Sequence, residues 1–200
     1  MNQIDDSLND LTEIRSMMER SSKFLSLSGL AGVSAGIVGL FGAGAAYWQM
    51  NASINSPEPM NLLTFFILDA FIVLALAIGF AIFFTTRMAK RKGLPVWSNT
   101  TKYMLESLLI PLTTGGLFCI LLWYHGIVMF IAPVMLIFYG LALLNTSKYT
   151  LMELRYLALA EIVLGLLATV LLDSWLIIWA IGFGIMHIVY GIIMYIKYEK

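Results

Sequence analysis

Long apolar runs separated by short polar stretches dominate the chain, and that pattern predicts its elements. A membrane-spanning helix takes ~20 apolar residues, rising ~1.5 Å per residue through ~30 Å of hydrocarbon. Six runs reach that length, at about 24–48, 61–86, 103–124, 126–145, 151–172 and 175–196. They lack the alternation of polar and apolar residues that a membrane strand would show. The expected fold is an all-α integral membrane protein whose six transmembrane helices are arranged as three helical hairpins. Residues 1–23 are polar, but Ile4, Leu8, Leu11, Ile14 and Met18 recur at helical spacing. They predict an N-terminal cytoplasmic amphipathic helix ahead of a six-helix domain over 24–200. This helix either binds a cytoplasmic protein or the membrane surface, or packs on its own bundle.

Charge fixes an orientation. Six spans place the N-terminus, the 87–102 loop, the 146–150 loop and the C-terminus on one side. All twelve Lys and Arg residues lie in or beside that set, and none lies in 49–60, near His125 or at Asp173-Ser174. Positive charge concentrates on the cytoplasmic side, so both termini are expected there. Trp48, Trp123 and Trp175 fall at the outer level, with Trp97, Tyr103 and Tyr149 at the inner one, as interfacial aromatics should.

Composition agrees: 60% of the 200 residues are hydrophobic and 12% are charged, where soluble domains carry about 25% charge. The net charge of zero points to no nucleic-acid partner. The expected partners are the lipid bilayer, a homo-oligomer, and a cytoplasmic protein reached through residues 1–23.

Small residues mark contact faces, because helices in lipid associate through close packing. Gly32, Gly36 and Gly39 stripe the first span, Gly165 the fifth, and Gly184 and Gly191 the sixth. The first span is therefore central either to the bundle or to an oligomer. Pro111 and Pro133 lie inside the third and fourth spans and predict kinks. Ser98-Asn99 predicts a helix cap before the third span. Lys102 and Glu106 stand at ion-pair spacing. Tyr139-Gly140 and Tyr190-Gly191 hint at a repeat between the last two hairpins.

Ionisable groups deep in a span are costly and need an interior partner. Glu161, His187 and Asp69 are the candidates. Glu161 and His187 lie about equally far from the Asp173-Ser174 turn, so an antiparallel pair of helices brings them to one depth. Glu161 shares a stripe with Ala158, Gly165 and Ala168, and His187 shares one with Ala180, Gly184 and Gly191. The two side chains should meet, either as a polar clamp or as a proton relay. Asp69 either joins them, lines an outer vestibule, or caps a nearby polar group.

No nucleophile motif, phosphate loop or metal-ligand spacing occurs, and His125 and His187 lie at depths unsuited to one haem. No enzyme activity, cofactor or metal is expected. The final hairpin, Glu161-Ile-Val-Leu-Gly165-Leu-Leu-Ala168, then Asp173-Ser174-Trp175, then Gly182 to Gly191, resembles that of the small six-helix HdeD-like bacterial membrane proteins. Asp173 stands where that family's outer turn would carry proline. The resemblance implies a bacterial inner-membrane location and a stress-linked role.

Overall fold

A computed structural model describes residue 24 and residues 26–55 and 62–200. The amphipathic helix expected over 1–23 lies outside the described residues. The rest is helical, with no strand among the described residues. Helix α1 covers Gly29–Asn55, α2 Leu62–Arg91, α3 Asn99–Tyr124, α4 Ile131–Thr146 and α5 Glu153–Val170. The C-terminal run comprises α6 (Trp175–Ala180), a π-helical segment (Ile181–Met186) and α7 (His187–Tyr198).

Among the described residues, five helical stretches are long and apolar enough to cross a membrane. The remaining expected span, the fifth at 151–172, forms α5, which is 18 residues long and carries Glu153, Arg155 and Glu161. It stands apart from those five by its three charges, two at one end and the third at the site described below.

Several helix ends follow from local chemistry. Ser98 caps α3 in a reciprocal capping box with Thr101. Gly93 (φ 64°) and Gly126 (φ 74°) take the left-handed conformation that closes α2 and α3. At each, the following residue bonds back to a carbonyl of the last turn, Leu94 to Ala89 and Ile127 to Leu122. The first helix starts later than the apolar run. Phe24 instead bonds through its backbone to Tyr149 (2.7 Å) and to the Thr150 hydroxyl (2.8 Å). Glu199, at the far end of the chain, accepts from the Gly29 N–H at the start of α1, where a carboxylate is favoured by the helix dipole.

Of the two expected kinks, one needs qualification and one is not required. Pro133 is the third residue of α4, where an N–H has no helical partner to lose. Pro111 lies inside α3 and cannot bond the Ser107 carbonyl one turn back. The Asn145 amide of α4 donates to that carbonyl instead, at 3.2 Å. Thr113 and Thr114 hydroxyls bond the neighbouring Leu109 and Ile110 carbonyls. Lys102 and Glu106 form no ion pair. Their order, cation before anion, opposes the helix dipole and is the weaker arrangement.

Packing places α1, α4, α5 and the C-terminal run at the centre. The strongest pairings are α4 with α5, α1 with α2, α3 with α4, and α1 with α7. Helices α2 and α3 lie at the edges and expose most of their apolar side chains. The α1 glycine stripe packs within the bundle. Gly32 faces Gly191, and added Cβ atoms at Gly36 and Gly39 would lie 2.5 and 2.8 Å from the Gly184 and Phe183 carbonyls. Gly165 fits against Ile137 and Pro133, and Gly140 against Ala158 and Ile162, which seals α4 to α5.

Candidate functional site, a buried Glu161–His187–Tyr139 network

Glu161 occupies the middle of α5 on the face that buries Leu154, Leu157, Ala158, Gly165 and Ala168. It has no exposed surface. Its carboxylate faces the π-helical segment at Gly182. A side chain there would not fit, since a Cβ would lie 2.6 Å from Oε2 and 2.6 Å from the Leu136 side chain. Glycine at this point is what lets a carboxylate enter the helix contact.

His187 begins α7 directly after the π segment and is also buried. Its Nδ1 lies 3.4 Å from Glu161 Oε1 and 3.0 Å from the Gly182 carbonyl. Its Nε2 lies 2.7 Å from the Tyr139 hydroxyl. The Gly182 carbonyl only accepts, so Nδ1 carries a hydrogen. With the imidazole neutral, Nε2 is then an acceptor and Tyr139 donates to it. A second proton on the ring would reverse that bond and turn the hydroxyl into an acceptor.

The ring is also held on its faces. His187 stacks on Tyr139 (5.3 Å between centroids, 29°) and on Phe183 (6.0 Å, 18°). Phe183 continues the column to Trp179 at 4.8 Å. Three elements therefore converge: α4 supplies Tyr139, α5 Glu161, and the C-terminal run Gly182, Phe183 and His187. No protein group among the described residues donates a hydrogen bond to either Glu161 oxygen. The 3.4 Å contact with His187 Nδ1 is an ion-pair approach without a completed hydrogen bond.

The π segment brings these groups together. Wide turns of this kind insert an extra residue into a helix and recur at functional positions. Here the segment lets the His187 ring reach the Gly182 carbonyl, five residues earlier.

Asp69 is elsewhere. It projects from α2 towards α1 at Gly42, where an added Cβ would lie 3.5 Å from Oδ2. No hydrogen bond or ion pair joins it to Glu161 or His187. The reason is topological: α2 packs chiefly along α1, on the opposite side of the bundle order from α4 and α5. Sequence reasoning placed Glu161 and His187 as candidates but gave Tyr139 and Gly182 no part in the site. The signal for Tyr139 was a tyrosine in mid-span, away from both interfacial belts. Among the described residues, no group of three His, Cys, Asp or Glu side chains is placed to hold a metal ion. Two apolar surface grooves, one between α3 and α4 and one between α1 and α2, do not reach Glu161. Comparison with known proteins adds no identity: no family model, curated protein or solved structure matches the chain.

Proposed function

We propose that this chain is a non-enzymatic, multi-pass membrane protein of structural or regulatory role, with its ends in the cytoplasm. Six spans enter the bilayer in this reading, as the apolar helices and the one-sided distribution of Lys and Arg favour. The Glu161–His187–Tyr139 network is a polar clamp that fixes the C-terminal run against α4 and α5. The observation that carries this reading is the complete burial of Glu161, 3.4 Å from a histidine whose other nitrogen is held by Tyr139. Dense packing around it, with glycines at each close approach, favours a fastening over a passage. The resemblance to HdeD-like proteins would place the role in a bacterial inner membrane under stress.

A second reading, a small proton-linked carrier or channel, draws on two observations. The carboxylate oxygens lack hydrogen-bond donors, and a π segment interrupts the helix beside them. In that reading Tyr139, His187 and Glu161 pass a proton along hydrogen-bonded groups. Proteoliposomes separate the two. The clamp predicts no proton flux above empty vesicles, together with a lower unfolding temperature for Glu161→Ala. Wild-type flux that Glu161→Gln abolishes while remaining folded would instead establish the relay.

A further inference from the structure

Helices α1 and α2 form a groove of about 290 Å³ on the surface of the bundle. Val38, Phe41 and Gly42 line it from α1, and Asp69, Ile72 and Leu76 from α2. The spacings, three and four residues apart on both helices, make it a continuous valley parallel to the helices. Its walls are exposed: Phe41 is 77% accessible and Ile72 55%. One polar group stands in it. The Asp69 carboxylate is part-buried over Gly42, and no hydrogen bond or ion pair within the described structure engages it.

A carboxylate within a membrane is stable when it finds a cation or donor. In the membrane reading above, the chain's own lysines and arginines do not reach that depth. Between Lys23 and Arg87 the sequence holds no lysine or arginine, and the orientation proposed above puts the rest on the cytoplasmic side. A second copy therefore brings apolar surface to the groove but no lysine or arginine.

We propose that the α1–α2 groove receives a transmembrane helix of another protein, one carrying a lysine or arginine level with Asp69. The inference rests on the membrane reading above. The groove supplies the packing surface, and the Asp69 carboxylate supplies the specificity, because an unpaired cation in lipid is itself costly. Asp69 is the eighth residue of α2, about 10 Å along the axis from Leu62. The partner's basic residue should sit at a similar depth below the outer surface.

The test uses the full chain in phosphatidylcholine vesicles, with a dye at its C-terminus. The probes are synthetic leucine-rich transmembrane helices bearing an acceptor dye. One set carries a single lysine about 10 Å from one end or the other, and the control carries leucine there. The lysine helix should show energy transfer. Asp69→Asn should weaken its binding at least tenfold, Asp69→Glu should largely retain it, and the leucine helix should bind no better than to the Asn variant. Equal binding of lysine and leucine helices, or undiminished binding to Asp69→Asn, would overturn the proposal. So would transfer between two labelled copies of the chain that Asp69→Asn abolishes, since the groove would then belong to a second copy. Vesicle flotation after alkaline wash is the separate control. A chain that leaves the lipid refutes the membrane reading, whereas a chain that stays and ignores the lysine helix refutes this inference alone.

Discussion

At the scale of single residues, the buried network is held by unequal contacts. The Tyr139–His187 bond is short and well placed, and its removal should cost what an ordinary buried hydrogen bond contributes. Tyr139→Phe is expected to lower the unfolding free energy by about 1 kcal/mol, because the ring stays and only the hydroxyl is lost. Denaturant unfolding in detergent micelles reads this directly, and an unchanged stability would argue against the bond. Gly182→Ala tests the opposite limit. A methyl group 2.6 Å from Glu161 Oε2 and from Leu136 forces one of them to move, an overpacking cost of about 1–3 kcal/mol. Much of this site was legible beforehand. Counting from the Asp173-Ser174 turn put Glu161 and His187 at one depth, because antiparallel helices rise at the same rate. Gly182 was not legible, because a 3.6-residue period puts Gly184, not Gly182, on the His187 stripe, and only the π segment brings the Gly182 carbonyl under the ring. Asp69 was grouped with the pair because depth alone does not tell which helix lies beside it.

At the scale of elements, Pro111 shows how a defect in one helix becomes a contact between two. The missing N–H frees the Ser107 carbonyl, and Asn145 crosses from α4 to bond it at 3.2 Å. Replacing Asn145 with alanine leaves a carbonyl without its donor, which should cost about 1–3 kcal/mol. Pro111→Ala restores an N–H that the carbonyl can use. In the Pro111→Ala background, therefore, Asn145→Ala should cost much less than in the wild type. A double-mutant cycle on unfolding measures the difference, and strict additivity would show that the amide and the proline are independent. The sequence announced Pro111 as a disturbance but could not name its remedy, since Asn145 lies far along the chain on another helix. The place of Pro133 in its helix was hidden for a related reason. Its place inside an apolar run did not reveal that a 3-10 turn at Val128–Phe130 delays the start of α4. The glycine stripes were read more fully, because small residues at helical spacing leave few alternatives to a close helix contact.

At the scale of the whole molecule, the order of helices sets a test of the orientation proposed above. Central α1 and the C-terminal run meet through glycines, and Phe24, ahead of α1, is tied to Tyr149 and Thr150, so Phe24 and the α4–α5 connection share one end of the bundle. Helix α3, at the edge, connects the two ends: Leu94 precedes it and His125 closes it, both exposed. The only cysteine, Cys119, lies within it and makes just a long contact with the Ile131 carbonyl, so Cys119→Ser provides a mild background. In that background, Leu94→Cys and His125→Cys mark the two ends of one helix without altering any Lys or Arg. An impermeant maleimide applied to intact cells should label His125→Cys and spare Leu94→Cys until the membrane is opened. Labelling of both without permeabilisation would mean that α3 does not cross the bilayer, and labelling of Leu94→Cys alone would invert the protein. The second result would be instructive in physical terms, because it would place all twelve basic residues on the outer face, against the tendency that orients other membrane proteins.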